Sequence, residues 1–220
     1  MCYYTDQQSS KKALESRFKA KGKFAEEQLV KGKVSGFTQA ALPLITQGKP
    51  EEIQLIPWGL IPAWADEDQA KDFPSKTLNA RTETVFEKPT FEPSILRQRC
   101  LVLVDGFFEW QHLGKEKTEW EISLVSEGPF ALGGIYAIWT NPKTQMKQAS
   151  FSILTTPANE LMEEIHNTKK RMPLIIPLEK EADWVHGMPL EDLKGYFKPY
   201  SSEKMKARKV FRAQDQLRLF

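Results

Sequence analysis

The chain has little cysteine and little histidine for its 220 residues: Cys2 and Cys100, and His112, His166 and His186. With so few thiols and imidazoles, and none at ligand spacing, no zinc pattern can be assembled, and neither a metal nor any other cofactor is expected. Two cysteines so far apart, one inside the apolar run "RCLVLVDGFFEW", point to free thiols rather than a disulfide framework. No apolar run of about 18 residues is present. The first residues are polar and not signal-like, so the expectation is a cytoplasmic protein without a membrane span. Charge of one sign is also lacking. Lys and Arg total 31 against 29 Asp and Glu, for a net charge of +2, too mild to demand a nucleic-acid partner. No glycine loop lies between a strand and a helix to cradle a phosphate, and Gly133-Gly134 reads as a strand bulge or a close-packing point. No repeat, low-complexity segment or interdomain linker is visible.

What is present is ordinary globular composition, 40% hydrophobic and 27% charged, sufficient for one domain over residues 1–220 with a basic tail from about 203 to 220. "KKALESRFKAKGK" predicts an amphipathic helix over 11–23 using Ala13, Leu14 and Phe18. Residues 32–50 read as loop, and "EIQLIPWGLIPAW" as an interrupted or edge strand. "TETVFEKPTFEPSILRQR" reads as two helical pieces broken at Pro89. Four β-prone runs follow, "CLVLVDGFFEW", "EWEISLVS", "FALGGIYAIWT" and "ASFSILTT", then a helix in "PANELMEEIHN" and a strand in "RMPLIIP". Strands separated by turns rather than by helices predict an α+β fold: a curved, mainly antiparallel, barrel-like sheet with peripheral helices.

Cys2 follows the initiator methionine directly. Removal of Met1 is expected because cysteine is small, and it would leave a 1,2-aminothiol at the terminus. With reference pKa values of about 8 for the amine and 8.5 for the thiol, both are usable nucleophiles near neutrality. An aldehyde would be captured twice, first as an imine and then as a five-membered thiazolidine. In "VDGFFEW", strand alternation places Glu109 on the face opposite Phe108 and Trp110, either exposed or lining a pocket where desolvation would raise its pKa toward proton-transfer range. His166 ends a helix-like segment before "RMP", where it is structural or presented by a loop. Asn79 and Arg81 alternate in "LNARTET" and either share a phosphate or sugar, or form an asparagine turn with a surface arginine.

Cys2, "WGLIPAW", "NARTET", "DGFFEW" and "HNTKKRMP", in this order across most of the chain, resemble the SOS response-associated peptidase (SRAP) family, whose members protect abasic sites in single-stranded DNA. The resemblance implies a reversible thiazolidine crosslink between Cys2 and the ring-opened sugar of an abasic site. Glu109 would position the amine and shuttle protons, His166 would promote ring opening and reversal, and Asn79 would hold the sugar or the terminal amine. Arg81 and Arg171 become phosphate ligands, Trp58 and Trp64 base-stacking residues or core tryptophans, and Phe37 or Leu42 a wedge beside the lesion. The implied partner is abasic single-stranded DNA bound by a monomer, in an enzyme of lyase or peptidase type. A cysteine peptidase or autoprocessing hydrolase using Cys2 is the alternative, and a non-catalytic single-strand-binding module a third reading. Two departures stand out: Tyr3-Tyr4 replace the family's common Gly-Arg after the cysteine, and the spacing from His166 to "RMP" is longer than usual.

Overall fold

The computed structural model describes residues 2–211. Two open sheets make the fold. The smaller has five strands in the order Met205–Lys209, Glu116–Leu124, Gly106–Leu113, Tyr4–Gln7 and Gly32–Ser35. The larger runs Arg171–Pro173, Lys147–Pro157, Phe130–Thr140, Arg99–Val104, Ala41–Thr46, Lys49–Pro57 and Lys21–Gly22, with Ile175–Ile176 beside Phe130–Thr140 and Asn79–Arg81 parallel to Lys147–Pro157. The architecture is the expected α+β class, although neither sheet closes into a barrel.

Strand alternation sorts the larger sheet into two cores. Cys100, Val102 and Val104 face the smaller sheet, where Phe107, Ile122 and Val34 meet them. Leu101 and Leu103 face the helices, against Leu14, Ile95 and Trp184. A strand covered on both sides must be apolar at every position, which explains the uninterrupted "CLVLV". Each fully buried Leu, Val or Phe stabilises by about 1.5–3 kcal/mol. Gly133 and Gly134 are packing glycines: a Cβ on Gly134 would lie 2.9 Å from the Cys100 sulfur and 3.0 Å from Val102.

The chain crosses from one sheet to the other at Asp105. Its carboxylate accepts hydrogen bonds from the Gln8 and Ser9 amides at 2.7 and 2.8 Å and from the Ser9 hydroxyl at 2.5 Å. Gly106 follows because a Cβ there would meet the Ile122 carbonyl at 2.8 Å. This crossing carries Glu109 onto the inner face of the smaller sheet.

Several local expectations are corrected. Residues 32–50 are not loop: Gly32–Ser35 and Ala41–Thr46 are strands, because pairing with distant segments and full burial of Leu42 and Leu44 outweigh the turn-like composition. Leu42 therefore belongs to the core and not to a wedge. The first helix ends early, at Lys11–Phe18, where Lys19 turns left-handed (φ 52°); Leu14 is buried, but Ala13 is exposed. The segment after Arg81 forms turns, and only Glu92–Arg97 is helical. The helix Glu67–Lys76, which contains Pro74, is not among the expected elements; a reciprocal cap between Asp66 and Gln69 starts it. Of the basic tail, Met205–Lys209 forms an edge strand. Residues 212–220 of that tail lie outside the described residues, as does Met1. Among the described residues, no helix is long and apolar enough to cross a membrane.

Candidate active site

Cys2 leads into the strand Tyr4–Gln7, which is hydrogen-bonded between Gly32–Ser35 and Gly106–Leu113. Its side chain is fully buried in the core between the sheets. Asn79 arrives from the opposite sheet, and its Nδ2 donates to the Cys2 carbonyl at 2.8 Å. This bond ties the two sheets together at the residue that carries the thiol.

Glu109 shares the inner face with Phe107, as alternation requires, and is 3% exposed. Burial pushes its carboxyl up from 4.5 to about 7. A carboxyl there is divided between its two protonation states at neutral pH, the condition for both taking and giving a proton. Burial, reinforced by the Glu109 charge, also pushes the Cys2 thiol up, so the thiol holds its proton near neutrality.

His166 is the C-cap of Glu160–Ile165, a short helix started by the Asn159 side chain. Its Nδ1 lies 2.8 Å from the Arg171 carbonyl, an acceptor only. Nδ1 therefore carries the proton and Nε2 the lone pair. Glu109 Oε1 is 3.8 Å from Nδ1, too far for a hydrogen bond. Burial pushes the imidazole down to about 4, which keeps it neutral at pH 7. Two side chains dock its loop on the strand that bears Glu109. Asn167 accepts from the His112 amide at 3.1 Å and donates to the His112 carbonyl at 2.8 Å; Gln111 donates to the Glu164 carbonyl at 3.1 Å. Lys170, left-handed at φ 48°, donates its amide to the His166 carbonyl and closes the loop. Neither Asn167 nor Gln111 stood out in the sequence, although an amide directly after the histidine was the available signal.

Glu109 and His166 open on a cavity of about 470 Å³ whose walls include Tyr3, Phe37 and Trp110. Tyr3 packs on Phe37 with ring centroids 5.1 Å apart, and Phe37 is 54% exposed. Tyr4 and Trp110 meet edge to face, and both rings, with that of Phe108, surround the Lys33 ammonium at 4.7–4.9 Å. Among the described residues, no group of three or more His, Cys, Asp or Glu could hold a metal ion.

The family described as SOS response associated peptidase (SRAP) matches residues 1–215. The chain belongs to the SRAP family. It is 35% identical over 176 residues to the abasic site processing protein YoqW of Bacillus subtilis, covering 79% of this chain and 75% of that protein. It is 29% identical over 160 residues to the abasic site processing protein HMCES of Gallus gallus, covering 62% of this chain and 47% of that protein. A crystal structure of a Bacteroides thetaiotaomicron protein superposes with a TM-score of 0.91 at 34% identity, covering 96% of this chain and 92% of that one.

Within this SRAP chain the structure brings Cys2, Asn79, Glu109 and His166 together and disperses part of the expected DNA-binding set. Arg81 is exposed, and its charge acts on Tyr3. Trp64 is 51% exposed, edge-on to Phe73, with its indole nitrogen donating to the Pro89 carbonyl. Trp58 is a correction. It is fully buried, stacked on Phe151 and donating to the Leu78 carbonyl at 2.8 Å, so its ring has no face to offer a base. Arg171 is a second correction: its guanidinium is gripped by the Glu83 carboxylate and by Thr155 and is nearly buried, which leaves no fork for a phosphate. Its contribution to the site is the backbone carbonyl that orients His166.

Proposed function

We propose that this chain processes abasic sites in DNA, capturing the ring-opened sugar in single-stranded DNA as a thiazolidine on Cys2 once Met1 has been removed. The observation that carries the reading is the Cys2 backbone held by Asn79 beside a buried carboxyl poised near pH 7. His166, neutral with its lone pair on Nε2, takes the proton of the sugar's anomeric hydroxyl and delivers it to the ring oxygen as that C–O bond breaks and the ring opens to the aldehyde. The Cys2 amine adds to the aldehyde carbon. Protonated Glu109 gives its proton to the departing hydroxyl, which leaves as water, and takes the remaining proton from the nitrogen as the imine forms. The thiol then adds across the C=N bond, its proton passing through Glu109 to the new ring nitrogen. Each proton taken is returned, so the crosslink reverses along the same path. Exposed Phe37 and Trp64 supply stacking surfaces, and Arg81 a phosphate contact.

A peptidase would begin from a thiolate–imidazolium pair. Here burial pushes the thiol up and the imidazole down, which opposes that charge transfer and supports aldehyde capture instead. The test is a denaturing gel of mass-verified, Met1-free protein with single-stranded DNA carrying one abasic site. A heat-stable shifted band is expected, absent with Cys2→Ala and with intact DNA. If no band forms while the terminal cysteine is verified free, covalent capture is wrong.

A further inference from the structure

One end of the catalytic cavity is cationic, lined by Lys117 and Lys169. His112 and Lys117 are directly opposed across the antiparallel pair Gly106–Leu113 and Glu116–Leu124, so their side chains leave the same face. Thr168 and Lys169 reach the same cavity from the loop after His166. The double hydrogen bond between Asn167 and His112 holds that loop against the strand and brings the two pairs of residues together.

Neighbouring lysines are neutralised. Lys33 is paired with Glu119, and Lys170 lies 3.6 Å from Glu163. Lys117 and Lys169, both exposed, have no carboxylate partner among the described residues. Two uncompensated ammonium groups, an imidazole and a hydroxyl around one opening make a site for an anion with several acceptor oxygens. The site is continuous with the cavity that holds Glu109 and His166. An anion attached to the captured sugar would therefore reach it without leaving the groove.

We propose that His112, Lys117, Thr168 and Lys169 form a phosphodiester subsite that takes a backbone phosphate flanking the abasic sugar. The inference rests on the abasic-site reading above. It assigns the anchoring of the strand to residues other than Arg171, whose guanidinium is already occupied, and gives the extended loop after His166 a function.

The double variant Lys117→Gln/Lys169→Gln tests it, beside a control, Lys12→Gln/Lys21→Gln, that removes the same charge from exposed lysines outside the cavity. Equilibrium binding to an intact single-stranded oligonucleotide is measured against salt concentration. Loss of one phosphate contact flattens the log–log slope by about 0.7 for a single strand, so the double variant, which empties the one-phosphate subsite, should flatten it by about 0.7 and the control should not. With abasic DNA, the half-saturating concentration should rise about tenfold near physiological salt, while the crosslinking rate at saturation is unchanged, because neither lysine touches the reacting atoms. An oligonucleotide with an uncharged methylphosphonate beside the lesion should reduce wild type to the level of the double variant. A wild-type slope in the double variant overturns the subsite, as does a saturating rate that falls along with binding. Absence of any covalent band with wild type would instead refute the abasic-site reading, and the intact-DNA slope would still decide the subsite.

Discussion

Glu109→Gln should make the protein more stable above pH 7 and at the same time unable to crosslink. Glu109 has a folded-state pKa of about 7 against an ordinary value of 4.5, because burial penalises its charge. A raised pKa means that the folded protein holds the proton more tightly than the unfolded chain. The stability this confers is complete below pH 4.5 and is lost as the pH rises through 7. The gap between 4.5 and about 7 corresponds to about 3 kcal/mol. Glutamine carries no charge to desolvate, so the variant escapes the penalty. At about 2–4 °C per kcal/mol for a domain of this size, the variant's Tm should exceed that of wild type by several degrees at pH 8. The difference should shrink toward pH 5. Thermal unfolding by circular dichroism across pH 5–8 measures it, and single-turnover crosslinking on the same samples should show an inflection near pH 7 in wild type and no product in the variant. A Tm difference that is flat with pH, or larger at pH 5 than at pH 8, would refute burial as the cause of the raised pKa.

The opposite sign applies to His166, whose folded pKa of about 4 lies below its ordinary 6.5: its contribution is present above pH 6.5 and lost as the pH falls through 4, so His166→Gln should resist acid unfolding better in that window, read by fluorescence during acid titration. Trp58→Ala should cost about 3–5 kcal/mol of folding stability by opening a core cavity, whereas Trp64→Ala should leave the denaturation midpoint nearly unchanged and weaken single-strand binding by about 1–3 kcal/mol. Glu83→Gln removes the charge that holds Arg171, and should slow ring opening by loosening the carbonyl that orients His166; a lower saturating rate with unchanged half-saturating DNA concentration is the expected signature. Lys33→Met should lower stability by about 0.5–2 kcal/mol as the ammonium inside the three rings is lost, and urea titration measures this.

The two tryptophans of "WGLIPAW" show where reading the sequence stops. They are the same residue type six positions apart, yet one is fully buried and the other 51% exposed. The difference comes from Phe151 and Leu78, partners distant in sequence, which stack on Trp58 and accept its indole hydrogen. Arg171 illustrates the same limit: an arginine in a basic run looks like a phosphate ligand until Glu83, 88 residues away, is found to occupy it. In residues 32–50 glycine, proline and polar residues signal a loop locally, whereas long-range pairing decides that the segment joins the sheets.

Local information was enough for the α+β class, the face of Glu109 and the aldehyde chemistry open to a terminal cysteine, since these depend on side-chain type and on the two-residue period of a strand. The ordered series of motifs was enough for the family. Only the tertiary structure decided that Asn79 holds the Cys2 backbone, that burial brings Glu109 to about 7 and His166 to about 4, and that Asn167 docks the histidine loop on the Glu109 strand. Desolvation and hydrogen bonding act between groups that meet in space, and these meet across two sheets whose residues lie far apart in the chain.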